Sequence, residues 1–216
     1  MPPIKKTEWD GNQLLKGTAE IFGTELASSI PYHFTGGDKL AIFTYHGCTL
    51  SVQGEVAVDY IAEETPMMTY LNLHLALDSL RASAMAAGGQ QQGAKGPRVL
   101  IAGPDAAGKT SLCRTLLNYA VKMGRRPLHV DMDVVENAVF PGTLSAYQVT
   151  KPLSLEESIP PSDMPPITYF YGHMKATENQ KMYEKALSRL AQTVNAKMAS
   201  DALSTCFSID ADKRLC

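Results

Sequence analysis

Residues 103–110 read GPDAAGKT and decide the fold of this chain, because they fit the phosphate-loop (Walker A) pattern G-x-x-x-x-G-K-[ST]. An apolar run, residues 99–102, precedes the loop, and a pattern typical of a helix follows it. In such a strand–loop–helix unit, successive backbone N–H groups surround the β-phosphate of a nucleotide. Lys109 adds a positive charge over the β- and γ-phosphates, and the Thr110 hydroxyl can bind Mg²⁺. The stretch therefore predicts a nucleoside triphosphate site, against the alternative of a glycine-rich turn that binds nothing.

Composition limits the kinds of partner. The 216 residues carry 20 basic and 22 acidic side chains, a net charge of −2, so no general basic field attracts nucleic acid. Any RNA partner must then be held by a local patch or through other subunits. The four cysteines are scattered, which favours neither a zinc site nor a disulfide framework and fits a reducing cytosol or nucleus. We expect no membrane span, since no apolar stretch approaches ~20 residues, and no secretory signal.

The pattern of strands and turns divides the chain into three parts. We expect a β-rich N-terminal domain in residues 1–64, a helix and flexible linker in 65–96, and a phosphate-loop α/β domain in 97–216. In the first part, three short runs separated by glycine turns predict a small antiparallel sandwich or barrel, at residues 39–44, 48–52 and 55–61. In the third run, Val56, Val58 and Tyr60 would share one face of a strand.

Helix signals begin at Thr65 and Pro66. Thr65 is the expected N-cap, and proline suits the first helical position, where its missing N–H is not needed. The predicted buried stripe is Tyr70, Leu73, Leu77 and Leu80, with His74 as a structural neighbour. From Pro97 onward strands and helices alternate, which is typical of a parallel α/β sheet.

Within that α/β part we expect two strands and two helices after the loop. The helix that follows the loop should end at Gly124, and the strands are predicted at residues 128–133 and 167–171. The last helix carries its apolar face at Tyr183, Leu187, Leu190, Val194 and Met198. Residues 152–166, rich in proline and acidic side chains, predict a surface loop.

Two aspartates, Asp131 and Asp133, end the strand that follows the phosphate-loop helix. In open parallel sheets ligands collect at the carboxyl ends of the strands, so Asp133 could approach the γ-phosphate, bind Mg²⁺ or accept a proton from a hydroxyl. The alternative is an aspartate that only caps a helix or stabilises a loop. Strand alternation points Asp131 to the opposite face, which makes it the weaker candidate.

Several further short stretches have no general chemical role, so finding them together and in order along one chain is specific to a family. They are residues 17–26 (GTAEIFGTEL), 43–48 (FTYHGC), 64–67 (ETPM), 70–72 (YLN), 96–99 (GPRV), 116–121 (LLNYAV), 124–127 (GRRP), 141–143 (PGT) and 188–191 (SRLA). With the phosphate loop, they resemble the nuclear polynucleotide 5′-hydroxyl kinase family that includes the ATP-binding subunit of the pre-mRNA cleavage factor. The resemblance covers about residues 13–198.

The resemblance implies a small β-rich, sandwich-like N-terminal domain packed on a partial P-loop kinase-like parallel-sheet domain. It also implies that Lys39 holds the nucleotide from the adenine side, and that Asp133 is the catalytic aspartate. Glu8 is a weak candidate for the family's adenine-contacting glutamate. The implied ATP contacts are Lys39, Gly103, Ala106, Ala107, Gly108, Lys109, Thr110 and Ser111, with Thr110 and Asp133 at Mg²⁺ and Lys109 and Asp133 in catalysis.

The chain departs from the family pattern in three places. Active kinases of the family resemble D-x-D-x-G-Q, whereas here Asp133 is followed by Val134, Val135 and Glu136, which adds negative charge near phosphate. The region of the adenine-contacting glutamate is shortened. We also expect the front half of a family member: a core strand begins at about residues 206–210, with Asp210 as its acid, and no RNA-clasping segment, arginine-bearing lid or C-terminal domain is recognisable.

The expected function is an ATP- and Mg²⁺-bound, non-catalytic scaffold of nuclear mRNA 3′-end processing. Its implied partners are other subunits of the mRNA cleavage and polyadenylation factor, and RNA directly or through that complex. The alternative is an active ATP-dependent kinase that phosphorylates RNA 5′-hydroxyl ends. An unrelated P-loop ATPase or GTPase is less favoured, since no Asn-Lys-x-Asp guanine-reading motif occurs.

Overall fold

The computed structural model describes residues 4–7, 12–88, 96–104, 106–155, 165–200 and 206–209. Seven strands come first: β1 Ile4–Thr7, β2 Asn12–Gly17, β3 Glu20–Ile21, β4 Thr24–Glu25, β5 Pro31–Tyr32, β6 Ile42–Phe43 and β7 Cys48–Ser51. They are followed by α1 Met67–Gly88, β8 Arg98–Ile101, α2 Lys109–Lys122, β9 Leu128–Asp131, β10 Thr143–Gln148 and β11 Ile167–Phe170. A 3₁₀ turn at Ala176–Asn179, α3 Gln180–Ser200 and β12 Cys206–Ile209 complete the order.

The N-terminal part is β-rich, as predicted. One sheet has the order β1-β7-β2-β5, and a second, antiparallel sheet has the order β4-β3-β6. The two sheets enclose a small core of Leu14, Ala19, Ile21, Leu26, Cys48 and Leu50. Gly17 sits at φ +86°, where a Cβ atom would lie 2.3 Å from the Gly47 carbonyl oxygen, so only glycine fits where these strands meet.

The predicted strand at residues 55–61 is wrong. These residues have no strand structure, and Val58 and Tyr60 are 77% and 83% exposed. Alternation of apolar residues is a local signal, whereas a strand also needs a neighbour that pairs with its backbone, and none of the described strands does so here. The run at 39–44 likewise shortens to Ile42–Phe43, while the run at 48–52 is confirmed as β7.

Helix α1 begins as predicted, because the Met67 backbone N–H donates to the Thr65 hydroxyl at 3.3 Å. The predicted stripe is half right: Leu77 is buried and Tyr70 half-buried, whereas Leu73 and Leu80 are 37% and 56% exposed. His74 is buried beside the stripe, as predicted, and so is Arg81. The helix carries apolar residues on all sides, so the sequence period could not single out the packed face.

The second part is a five-stranded sheet of order β11-β10-β9-β12-β8. Strands β8, β12 and β9 are parallel, which confirms the P-loop kinase-like core and the predicted strand at 206–209, although Asp210 lies outside the described residues. Strands β10 and β11 extend the sheet in antiparallel fashion. The sequence analysis did not predict β10, whose first five residues are all buried, polar and apolar alike.

Helices cover both faces of this sheet. Helix α3 packs Tyr183, Leu190, Val194 and Met198 on one face, as predicted. Helices α1 and α2 lie on the other face, where Leu77 meets Leu116 and Leu117. Helix α2 ends at Lys122 with Met123 as its C-cap, and Gly124 follows as the predicted stop, with φ +72° and its N–H bonded to the Val121 carbonyl.

Within the ranges described, none of the helices combines the length and apolar character needed to cross a membrane. Residues 89–95 of the predicted linker and 156–164 of the predicted loop lie outside those ranges. The domain boundaries after residues 64 and 96 stay predictions.

Candidate nucleotide site

The phosphate loop joins the end of β8 to the start of α2, as the motif requires. Ala106 and Gly108 both have positive φ, +56° and +80°. A left-handed backbone is unfavourable for alanine and persists only where the surroundings impose it, which is common at ligand clamps. Such turns direct successive N–H groups into one concavity that suits an anion. Asp105 lies outside the described residues.

The start of α2 is open to an anion. Its first N–H groups have no acceptor within the helix, and Gly108 at the N-cap has no side chain to offer one. Among the described residues no other side chain caps this end. Ala106, Ala107, Gly108 and Thr110 are exposed, while Gly103, Lys109 and Ser111 are half-buried. Helix dipole and free N–H groups together favour a phosphate here.

The Lys109 ammonium group is folded back over the loop. Its Nζ donates to the Gly103 carbonyl at 3.1 Å and to the Pro104 carbonyl at 2.9 Å. Both contacts are to neutral backbone oxygens, so no carboxylate neutralises the charge in these bonds. The positive charge is therefore held at the loop and remains available to a phosphate.

Asp131, the weaker of the two candidates, is hydrogen-bonded within the loop that follows β9. It is buried, and its carboxylate accepts the N–H of Asp133 at 3.0 Å and the N–H of Ala138 at 2.9 Å. Burial raises the pKa of Asp131 to about 6, although these two N–H bonds act in the opposite direction. Asp131 thus shapes the turn that follows β9.

Asp133 is half-buried, and one of its carboxylate oxygens accepts hydrogen bonds within the turn that follows it. Its Oδ1 accepts the backbone N–H of Val135 at 2.8 Å and of Glu136 at 3.1 Å. Oδ1 of Asp133 therefore stabilises the loop, which was the alternative role considered for this residue. These bonds leave Oδ2 available. The catalytic and metal roles of Asp133 stay predictions.

The sheet register brings Asp133 and the phosphate loop to the same edge. Ile101 of β8 and Asp131 of β9 are both paired with Ile209 of β12. Gly103 and Asp133 each follow two residues later, at the carboxyl ends of strands separated by one strand, or about 10 Å. This arrangement fits an ion or phosphate held between the two loops.

The donor set also fits ATP with Mg²⁺. The loop offers N–H groups and an ammonium to phosphates, and Thr110 and Asp133 offer oxygen atoms to the metal. No three His, Cys, Asp or Glu side chains form a ready metal cage in the described part of the chain. Mg²⁺ commonly takes one or two protein oxygens together with substrate phosphates, so such a cage is not required.

Lys39 lies in the exposed loop between β5 and β6. The described contacts do not join it to the phosphate loop, so its adenine-side role stays a prediction. Glu8, the weak adenine-side candidate, lies outside the described residues.

Sequence reasoning missed a polar cluster between the N-terminal domain and α2. The Tyr119 hydroxyl donates to the buried Glu20 carboxylate and lies 3.3 Å from the Tyr45 hydroxyl. Burial raises the pKa of Glu20, and burial together with the bond to Glu20 raises the pKa of Tyr119. Lys122 Nζ is 4.0 Å from Glu20 and 2.8 Å from Glu25. The sequence signal was the family stretches 17–26, 43–48 and 116–121, which contain all of these residues except Lys122.

Comparison with known proteins identifies two matching family models. Residues 11–84 match the N-terminal beta-sandwich domain of polyadenylation factor, and residues 103–210 match the mRNA cleavage and polyadenylation factor CLP1 P-loop. Protein CLP1 homolog of Anopheles gambiae is 45% identical over 189 residues, which are 87% of this chain and 43% of that protein. Polyribonucleotide 5′-hydroxyl-kinase Clp1 of Bos taurus is 42% identical over 186 residues, 86% of this chain and 42% of the relative.

Two solved structures have the same fold. One shows an extended interface between Pcf11p and Clp1p and the basis for ATP loss in a point mutant; it has a TM-score of 0.77 and 25% identity, and covers 97% of this chain and 52% of its own. The other, a wild-type Clp1p–Pcf11p complex, has a TM-score of 0.74 and 26% identity, with 94% and 49% covered. The chain spans less than half the length of the relatives named above. With family models matched over more than half of its residues, the chain belongs to the CLP1 family of mRNA cleavage and polyadenylation factors.

Proposed function

We propose that this chain binds ATP with Mg²⁺ and acts as an ATP-bound, non-catalytic scaffold of nuclear pre-mRNA cleavage and polyadenylation. The observation that carries the proposal is the uncapped start of α2, preceded by left-handed Ala106 and Gly108 and held beside the Lys109 ammonium. Residues 103–111 would hold the phosphates, and Lys39 the adenine side. Thr110 and Asp133 would hold Mg²⁺.

The residues around Asp133 favour a scaffold over an enzyme. One carboxylate oxygen of Asp133 is engaged by the N–H groups of Val135 and Glu136. Active family members resemble a pattern with Gly and Gln at these two positions. Glu136 is exposed three residues after Asp133, and its charge would repel an RNA end that carries phosphates.

The proposed partners are other subunits of the cleavage and polyadenylation factor. The two solved structures of the same fold contain Clp1p in complex with Pcf11p. RNA would be bound directly or through the assembled complex. Co-expression with a Pcf11-type subunit should therefore yield a stable complex that survives gel filtration, and separate elution of the two proteins would contradict the partner assignment.

The second candidate is an active polynucleotide 5′-hydroxyl kinase. It is favoured by the position of Asp133 at the same sheet edge as the phosphate loop, and by relatives named polyribonucleotide 5′-hydroxyl kinases. In that reading Asp133 would accept the proton of the RNA 5′-hydroxyl, while Lys109 stabilises charge on the moving phosphoryl group.

Transfer of labelled γ-phosphate from ATP to a 5′-hydroxyl RNA separates the two candidates. The scaffold predicts that the wild-type chain labels RNA no better than Lys109→Ala. The double variant Val135→Gly with Glu136→Gln restores the family pattern and should raise labelling if Asp133 is correctly placed. Brisk labelling by the wild type, abolished in Lys109→Ala and Asp133→Asn, would establish the kinase instead.

A further inference from the structure

Besides the Tyr119–Glu20 cluster, a buried amide on helix α2 contacts the N-terminal domain. Asn118 is 1% exposed, and its Nδ2 donates to the Phe22 carbonyl at 2.8 Å and to the Thr24 hydroxyl oxygen at 2.9 Å. Its Oδ1 accepts the Leu153 N–H at 2.7 Å, and the Thr24 hydroxyl donates onward to the Leu153 carbonyl at 2.9 Å. We call Phe22, Gly23, Thr24, Asn118 and Leu153 the Asn118 joint.

Gly23 makes the joint close-fitting. It has φ +81°, and a Cβ atom there would lie 3.0 Å from the Thr115 carbonyl oxygen and 3.1 Å from the Asn118 Cβ. The turn between β3 and β4 therefore packs directly on the helix, so closely that a Cβ atom would require its neighbours on α2 to shift by a few tenths of an ångström. A side chain at this position would combine the strain of positive φ with a tight contact against α2, and both disfavour the docked arrangement.

The joint explains two stretches that no general chemistry required. Residues 17–26 supply the turn, and residues 116–121 supply Asn118, so the two stretches are opposite sides of one contact. Nine residues separate Lys109 from Asn118 on the same helix, about 14 Å along its axis. The joint thus acts on the rigid element that begins at the phosphate loop.

On the N-terminal-domain side of the Asn118 joint, the strands connect to the loop that carries Lys39. Strand β3, which enters the turn, pairs with β6 through Glu20 and Phe43. Lys39 lies three residues before β6 begins at Ile42. The contacts of Asn118 therefore fix the strand pair next to Lys39 relative to the helix next to Lys109.

We propose that Asn118, Gly23 and Thr24 are positioning residues for nucleotide recognition: the joint holds Lys39 and the phosphate loop at the separation of the two ends of one nucleotide. The inference rests on the proposed ATP binding between Lys39 and residues 103–111. If a variant lowers the fraction of molecules in which the N-terminal domain is docked on α2, the apparent affinity for the whole nucleotide falls in proportion to that fraction. Affinity for a ligand that contacts only the phosphate loop does not change.

The direct test compares Gly23→Ala with Gly54→Ala. Gly54 also has positive φ, +99°, but a Cβ atom there meets nothing within 4 Å, so this control shares the backbone strain and lacks the wedge. Binding of Mg·ATP and of inorganic tripolyphosphate with Mg²⁺ is measured by calorimetry on the full chain. Gly23→Ala should raise the Kd for ATP at least about fivefold and change that for tripolyphosphate less than about twofold. Gly54→Ala should change neither. An unchanged ratio of the two constants in Gly23→Ala would overturn the inference.

A milder pair keeps the test decisive if Gly23→Ala does not fold. Thr24→Val removes the hydroxyl that Asn118 uses, and Thr24→Ser retains it. Thr44→Val is the matched control, because the buried Thr44 hydroxyl likewise accepts one hydrogen bond, from the Gly47 N–H, and donates one, to the Thr18 carbonyl, but inside the N-terminal domain. Thr24→Val alone should weaken ATP binding, by about threefold to tenfold, and Thr24→Ser should restore it. Equal losses in Thr24→Val and Thr44→Val would reduce the joint to a stability contact.

A double-mutant cycle with Lys39→Ala separates positioning from folding. If the joint acts through Lys39, Gly23→Ala should weaken ATP binding in the wild type and have little further effect once Lys39 is removed. Additive losses would contradict the inference. If the wild type binds ATP no more tightly than tripolyphosphate, the proposed adenine-side contact fails, and the inference fails with it. If the wild type prefers ATP but Gly23→Ala keeps that preference, only the inference fails.

Discussion

Replacing Tyr119 by phenylalanine should destabilise the chain in a pH-dependent way. The Tyr119 hydroxyl donates to the buried Glu20 carboxylate, and this bond lowers a Glu20 pKa that burial raises. A hydrogen bond to a charged group contributes about 1.5–3 kcal/mol, so at pH 8 the variant should lose about 2 kcal/mol of unfolding free energy. Without the donor, the Glu20 pKa in the folded chain rises further above its unfolded value.

The sign of the pH dependence follows from that change. A carboxyl whose pKa is raised on folding stabilises the folded state at low pH and loses this contribution as pH rises through the folded pKa. The gap between wild type and Tyr119→Phe should therefore be smallest near pH 4 and grow toward pH 8. Urea unfolding at pH 4, 6 and 8 measures it.

Tyr169→Phe is the matched control for this experiment. The Tyr169 hydroxyl lies 2.8 Å from the Thr193 hydroxyl, a neutral partner, so its loss should be about 1 kcal/mol and the same at every pH. A Tyr119→Phe loss that does not vary with pH, or that falls below the loss in Tyr169→Phe, would refute the assignment of Tyr119 as the donor to a buried carboxylate.

Two further predictions concern stability. Because burial raises the pKa of Asp131 to about 6, ionising it costs the folded chain about 3 kcal/mol. The stability of the wild type should therefore fall relative to Asp131→Asn between pH 4 and pH 6.5. Burial lowers the pKa of His129 to about 4, so ionisation of His129 makes stability rise with pH, equally in both proteins. Parallel unfolding profiles of the wild type and Asp131→Asn would therefore contradict the prediction. Gly17→Ala should destabilise the chain by more than Gly54→Ala. Both glycines have positive φ, but only at Gly17 would a Cβ atom collide with the Gly47 carbonyl. Equal melting temperatures of the two variants would contradict this prediction.

The sequence predicted the parts of the fold that depend on local chemistry. The phosphate loop, the Thr65 cap and the Gly124 stop are each determined by a few adjacent residues, and each is found where expected. The strand at 55–61 failed because alternation does not reveal whether a pairing partner exists. The packed face of α1 was predicted only in part, because Leu73 and Leu80 are as apolar as the buried Leu77.

The candidate site likewise combines residues that a local motif predicts with residues that only the three-dimensional packing brings together. Gly103, Lys109 and Thr110 were predicted from one motif, and the weaker status of Asp131 followed from strand alternation. The role of Asn118 could not be predicted, since its partners lie 94 and 96 residues earlier in the chain. Only the packing of β3 and β4 on α2 brings these groups together.

The most direct test of ATP binding at the phosphate loop is calorimetric titration of Mg·ATP into the wild type, Lys109→Ala and Lys181→Ala. Lys109 is held over the phosphate loop, whereas Lys181 is an exposed lysine of α3. Loss of a charged contact worth about 1.5–3 kcal/mol raises the Kd by about tenfold to 150-fold. We predict that loss in Lys109→Ala and unchanged affinity in Lys181→Ala. Equal ATP affinity in the wild type and Lys109→Ala would contradict this prediction.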